Sequence, residues 1–258
     1  MGLRLNFTIY KPKHHIADFI QAIWCAKTCD TNHSDVVRCL NGDGCMGVLF
    51  NLNKSLRIGN QALPTGILVQ PVSTQTHTIS IPAGSTVVGI RFQPGFGVSI
   101  LDTKPCHPTV ISSDSDIGQA LLPIFQQLSH AKGSWTLISL IYRWICQHLG
   151  QPKPLPRSLK HAIDVLQSTA PEQQHTTVFN QRQIERQFKT WLGITPKHFH
   201  RIMRVRHTLN TLKQYDEAPL AAIAQQLGYS DQAHMTRELK HIANVTPNKY
   251  RHILNSQG

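Results

Sequence analysis

Arginine, lysine and glutamine recur at helical spacing in two stretches of this chain, and their chemistry suits the reading of base edges. Gln181, Arg182, Gln183, Glu185, Arg186 and Lys189 form one set, and Gln232, Ala233, His234, Thr236, Arg237 and Lys240 form the other. At 3.6 residues per turn each set falls opposite an apolar pair, Ile184 with Phe188 and Met235 with Leu239, so it faces outward from a short helix. A guanidinium can bond guanine twice and a carboxamide can bond adenine twice. Lys240 suits a phosphate, which fixes position and carries no sequence information.

The two sets are copies of one another. Displaced by 51 positions, Arg186 onto Arg237, the stretch Gln181–Arg201 lies over Gln232–His252 without a gap. Gln181/Gln232, Arg186/Arg237, Lys189/Lys240, Thr195/Thr246 and Pro196/Pro247 are identical. Ile184/Met235, Phe188/Leu239, Ile194/Val245 and Phe199/Tyr250 keep their apolar character. An ungapped repeat of this kind is one supersecondary unit used twice.

Composition agrees with a polyanionic partner. Lys and Arg number 26 against 14 Asp and Glu, a net +12. Residues 157–258 hold 14 Lys/Arg and 7 Asp/Glu, whereas the longer remainder holds 12 and 7, so positive charge is denser around the repeat. No secretory leader pattern and no run of about eighteen apolar residues is present, which predicts a cytoplasmic chain without a membrane span. All six cysteines lie in the first 150 residues, and in a reducing compartment the expectation is free thiols.

The elements that must hold the two sets can be read around them. Leu220–Leu227 is a short helix with Leu220, Ile223, Ala224 and Leu227 on one side. Gly228-Tyr229-Ser230 turns the chain, and Ser230 or Asp231 caps a second helix running to about His241. Asn244 then stands at a helix C′ position, and Thr246-Pro247 starts another helix. This is a helix-turn-helix, whose second helix enters the major groove. A long helix is predicted over Pro196–Gln214, with Phe199, Ile202, Val205 (or Met203), Leu209 and Leu212 inward and Arg201, Arg204 and Arg206 available to the DNA backbone.

Ile223, Ala224, Gly228, Tyr229, Asp231, Arg237, Lys240, Thr246, Pro247, Tyr250 and Arg251 match the pattern of the AraC/XylS family of bacterial transcription regulators. The chain resembles that family over about residues 158–253, with Met235 and Leu239 where aromatics are usual and Asn244 where glycine is usual. The resemblance implies two helix-turn-helix units joined by a long helix, docked in successive major-groove segments about 34 Å apart. Double-stranded promoter or operator DNA is the implied partner, with RNA polymerase a further one for an activator. Arg201, Arg204 and Arg251 complete the candidate DNA-contacting set. The first unit departs from the pattern: Asn180 caps its reading helix, but Thr169–Phe179 lacks the Ala…Gly helix and turn and is about five residues short.

Upstream, Cys45–Leu52, Gly66–Gln70, Thr74–Ile81 and Ser85–Phe92 are short β-branched-rich runs. Asn41-Gly42-Asp43-Gly44, Pro64, Pro71 and Pro82-Ala83-Gly84 separate them as turn formers. A small barrel or sandwich is expected, followed by a helical hairpin over about Asp116–Ser129 and 134–149, with Ser134 as N-cap and Gly150 at C′. Leu137, Ile138, Ile141, Trp144 and Ile145 give the second helix a wide apolar face, fit for core packing or for a homodimer seam. Trp135, Trp144 and Trp191 read as core anchors. The whole is α+β: residues 1–150 a β-rich sensor or dimerisation domain, 151–156 a proline-rich linker, and 157–258 an all-α DNA-binding domain.

Asn41–Leu52 and Gly89–Gly95 resemble the signature stretches of an uncharacterised β-rich domain found ahead of AraC-type units, with Phe19 and Trp24 fitting its opening segment. By analogy it would hold a small-molecule effector or mediate dimerisation. No catalytic constellation, resident cofactor or metal site is expected, and the chain does not read as an enzyme. Cys25, Cys29, His33, Cys39 and Cys45 keep one rival open, a cysteine- or zinc-based redox or DNA-damage sensor with attached DNA-binding helices. A second rival is an interaction module whose helices bind protein or RNA.

Overall fold

The structure is a computed structural model that describes residues 5–30, 34–150, 152–168 and 180–255. The chain divides into two compact units. The first comprises Met1–Leu40, Cys45–Val72 and His77–Leu155, and the second Asn41–Gly44, Ser73–Thr76 and Pro156–Gly258.

Among the described residues the first unit holds ten strands: β1 Leu5–Tyr10, β2 Ile20–Thr28, β3 Val36–Leu40, β4 Gly47–Asn51, β5 Leu56–Ile58, β6 Gln61–Leu63, β7 Gly66–Gln70, β8 His77–Ile81, β9 Thr86–Phe92 and β10 Thr109–Val110. Its helices are α1 Phe96–Leu101, α2 Asp116–His130 and α3 Ser134–His148. The strands pair antiparallel in two sheets, β1-β2-β9-β4-β7-β10 and β3-β8-β5-β6. The two sheets share an apolar cluster.

Period-two alternation in the central strands divides the interior into two layers. Leu49, Leu68 and Val87 point into a cluster with Leu56, Ile58, Leu63, Ile79 and Ile81 of the smaller sheet. Their neighbours Val48, Phe50, Ile67, Val69, Val88 and Ile90 point the other way, into a cluster with Leu121, Ile124, Leu128 and the buried stripe of α3. A sheet covered on both faces needs apolar residues on both sides of its central strands, and Val48, Leu49 and Phe50 supply them along Gly47–Asn51, which is buried throughout. Gly89 is dictated by its cross-strand partner Trp24: a Cβ there would stand 2.3 Å from the indole.

Leu137, Ile138, Ile141, Trp144 and Ile145 are all buried within this unit, so the apolar face of α3 is core and is not available as a homodimer seam. Trp135 departs from expectation: it is 61% exposed. It lies about 120° around the helix from the centre of that buried stripe, at 100° per residue. Ser134 is the first helical residue rather than the cap, because Gly133 at φ 88° occupies that place. Gly150 takes a left-handed conformation just beyond α3, as expected.

The second unit contains α4 Arg157–Gln167, α5 Gln181–Trp191, α6 Pro196–Gln214, α7 Leu220–Gln226, α8 Gln232–Ala243 and α9 Pro247–Asn255. The long helix α6 has the predicted limits, and Phe199, Ile202, Met203, Val205, Leu209 and Leu212 are its buried stripe. The segment Thr169–Phe179, on which the shortened first unit was inferred, lies outside the described residues. No helix among the described residues is long and apolar enough to cross a membrane.

Candidate nucleic-acid interface

The second repeat unit is built from local signals that reinforce one another. Tyr229 N–H donates to Ala224 (2.9 Å) and Gly228 N–H to Gln225 (3.1 Å), closing the turn after α7. Gly228 sits at φ 72°, a conformation glycine adopts without Cβ strain. Asp231 then caps α8 by accepting the His234 N–H at 2.6 Å. That hydrogen bond is the main reason its carboxyl lies below the usual carboxylate range. At the other end Asn244 is left-handed at φ 54°. Its Nδ2 donates to the Thr76 carbonyl (2.9 Å), and Thr76 N–H donates to the Ile242 carbonyl (2.7 Å), satisfying an orphan acceptor of the helix end.

The inner face of α8 contains a charge. Met235, Leu239 and Ile242 are buried, and so is Glu238, at 6% exposure. Arg204 grips its carboxylate with two nitrogens, Nε at 3.2 Å and Nη2 at 2.9 Å, while Arg201 Nε donates to it at 2.8 Å. Arg204 also lies 4.4 Å over the Tyr229 ring, and its Nη1 donates to the Gly228 carbonyl at 3.3 Å. Tyr229 in turn meets Thr208 through its hydroxyl at 3.0 Å. Burial, with Glu238 nearby, pushes the Tyr229 phenol up to about 12. These contacts lock α6, the turn and α8 together.

Arg201 and Arg204, expected to meet the DNA backbone, are thus engaged inside the unit with Glu238. Arg251 is engaged too: its Nη2 donates to the carbonyls of Tyr215 and Ala218, bracing the approach to α7. Sequence reasoning missed the partner in each case. Glu238 falls on the inward stripe Met235-Glu238-Ile242, and a carboxylate at such a position is a signal that a buried cation must exist.

The outer face of α8 is different. Gln232, Ala233, Arg237 and Lys240 are exposed. Thr236 is half-buried and its hydroxyl donates back to the Gln232 carbonyl at 2.9 Å. His234 is half-buried against Tyr229, edge to face at 5.4 Å, with Nδ1 3.1 Å from the Ser230 hydroxyl. Its side chain therefore supports the turn.

The first unit repeats this construction with other residues. Asn180 caps α5 by accepting the Arg182 N–H at 2.9 Å, and Gly193 at φ 76° follows the helix where Asn244 follows α8. Thr195 caps α6 at the repeat position of Thr246 and accepts the His198 N–H at 3.2 Å. Phe188 is fully buried and packs 5.8 Å from Phe199. Gln187, at the repeat position of Glu238, accepts from Ser158 of α4 at 2.9 Å. On the outer face Gln181, Arg182, Gln183, Glu185, Arg186 and Lys189 are all exposed, with Gln181 Nε2 donating to Glu185 at 3.0 Å.

Among the described residues no three His, Cys, Asp or Glu are grouped to hold a metal ion. Cys25 and Cys45 are buried, Cys29, Cys39, Cys106 and Cys146 are exposed, and His33 lies outside the described residues.

A capped helix with a basic outer face, held by a glycine turn on a second helix, defines a DNA-binding helix-turn-helix protein. Residues 176–253 match a helix-turn-helix domain family, and residues 8–107 match a domain of unknown function (DUF6597). The chain thus carries an AraC-type helix-turn-helix domain behind this uncharacterised one, which supports DNA-binding transcription regulation. No curated relative matches its sequence.

The solved structures that are similar at a distance include three that differ in coverage. ToxT from Vibrio cholerae is 10% identical, over 98% of this chain and 99% of its own, with a TM-score of 0.46. The C-terminal domain of AraT, a response regulator from Geobacillus stearothermophilus, is 23% identical over 39% of this chain and 88% of its own, with a TM-score of 0.35. The AraC-like transcriptional activator CuxR is 9% identical over 97% of this chain and 86% of its own, with a TM-score of 0.33. The two domain matches carry the assignment.

Proposed function

We propose that this regulator reads a specific DNA sequence with α8 as its principal reading helix and α5 as a second one. On α8, Arg237 and Gln232 address base edges, Ala233 admits close approach, and Lys240 holds a phosphate. On α5, Gln181, Arg182, Gln183 and Arg186 face the groove and Lys189 the backbone. Arg201, Arg204 and Arg251 leave the contacting set and act as braces that keep α8 in place. The observation that carries this reading is the sorting of cations. Those on the outer faces of α5 and α8 are exposed, whereas Arg201 and Arg204 of α6 and Arg251 of α9 are committed to partners within the unit.

The first unit, a sandwich with helices on one side, is proposed as the part that takes a small-molecule effector and adjusts DNA occupancy. The apolar stripe of α3 is buried within this unit, which favours a sensing role over an apolar dimer seam on that helix. The test is a binding series on a duplex obtained by in vitro selection with the full chain. Arg237→Ala should lose affinity on that duplex and relax the preference at one base pair. Equal affinity of the unaltered chain for the selected duplex and for a scrambled one would refute sequence-specific reading.

A further inference from the structure

Space in the first unit is unevenly filled. Between the two sheets Leu49, Leu56, Leu63 and Leu68 are at most 1% exposed, so that layer is packed. On the opposite face of the larger sheet, under α2 and α3, lies a cavity of about 850 Å³. Sites for small organic molecules span roughly 300–1,000 Å³. Ile90 and Phe92 belong to its floor, and Trp144 forms a wall, with the His148 ring stacked on the indole at 5.5 Å.

The charges around the cavity are of one kind. Asp102 and Asp116 line it and are exposed, and neither has an ion-pair partner among the described residues. Among the described residues no Lys or Arg lines it, although the chain carries a net +12. His148 is the one other titratable group there. An anion entering would meet two carboxylates and no fixed cation. An apolar body seated on Ile90, Phe92 and Trp144 with a cationic end between Asp102 and Asp116 loses its water to apolar surface and keeps its charge paired.

We propose that this cavity binds a small organic cation, an amine or quaternary ammonium carried on a flat apolar body. Binding stands on the cavity alone, and only its regulatory consequence rests on the proposed function. Three fluorescent compounds of one shape test it on the full chain in the absence of DNA: 9-(aminomethyl)anthracene, 9-anthracenemethanol and 9-anthracenecarboxylate. The ammonium compound should bind about tenfold more tightly than the carboxylate, as expected for exchanging an attractive for a repulsive partner in a partly screened site. Asp102→Asn with Asp116→Asn should bring ammonium and carboxylate to within about twofold of each other while the alcohol binds as before. Ala120→Trp, an exposed lining position on α2 that leaves the buried core untouched, should weaken all three about tenfold by filling the space.

Carboxylate binding as tight as ammonium binding would overturn the proposal, as would the absence of all binding or binding indifferent to Ala120→Trp. The same preparation is assayed on the selected duplex. Ammonium binding without specific DNA binding would refute the regulator reading and keep the site, and the converse would refute the site alone.

Discussion

The two repeat units use the same punctuation and different anchors. Asn180 and Asp231 cap the reading helices, Gly193 and Asn244 end them in left-handed conformations, and Thr195 and Thr246 stand before the prolines that open the next helices. The anchors diverge at one position. Glu238 in the second unit is buried and held by Arg201 and Arg204, whereas Gln187 in the first makes a neutral hydrogen bond to Ser158. Local signals set where each helix begins and ends. The tertiary partner sets how firmly it is held, and a charged pair with a bidentate guanidinium has the stricter geometry.

The largest expected effect follows from making the second unit resemble the first. Glu238→Gln should cost about 3 kcal/mol of stability, because two partly buried guanidiniums lose their counter-charge. Gln187→Ala should cost about 1 kcal/mol, the worth of one neutral hydrogen bond. Chemical denaturation monitored by helix circular dichroism compares them, and equal losses would erase the distinction drawn between the anchors.

On DNA, Arg237→Ala should cost about 1–3 kcal/mol on the selected duplex. Arg186→Ala tests whether α5 reads as α8 does, and an effect of about 1 kcal/mol or less would rank it second. Lys240→Ala should weaken all duplexes alike and reduce the slope of log affinity against log salt by about 1. A titration of affinity against salt for each variant separates these roles.

The smallest effect is in pH dependence. His198, His200 and His207 on α6 all lie below the ordinary value of 6.5, chiefly through burial, with Arg201, Arg204 and Arg206 respectively adding repulsion. Their folded forms bind fewer protons than the unfolded chain, so stability is full above 6.5 and declines as pH falls below it. Tyr229 works in the opposite window: its phenol at about 12 against 10.0 unfolded means stability declines as pH rises from 10 towards 12. Unfolding midpoints measured across pH should fall at both ends. His207→Gln should flatten the acid limb, and Tyr229→Phe the alkaline one.

Much of the helical unit was legible because its signals are short-range. Thr195-Pro196 gave the start of α6, Asn244 the end of α8, and a spacing of three and four placed Phe199, Ile202, Leu209 and Leu212 in the core. The pairing of Arg201 and Arg204 with Glu238 was not legible because the partner lies 34 to 37 residues away in sequence. Strands were harder. β4, β7 and β9 were marked by β-branched runs and turn formers, but β5 and β6 are three residues each, too short for alternation to register. β2 is interior and buried at most positions, so it lacks the alternation that identifies a half-exposed strand. The cavity under α2 and α3 is a product of how helices pack on a sheet, and no spacing in the sequence encodes it.

Hydroxyl-radical footprinting of the full chain on the selected duplex, beside its Arg186→Ala and Arg237→Ala variants, tests the central claim most directly. Two protected segments about 10–10.5 base pairs apart on one side of the duplex are expected, each weakened by only one of the two substitutions. Protection spread evenly along the DNA, or a pattern indifferent to both substitutions, would contradict the assignment of α5 and α8 as reading helices.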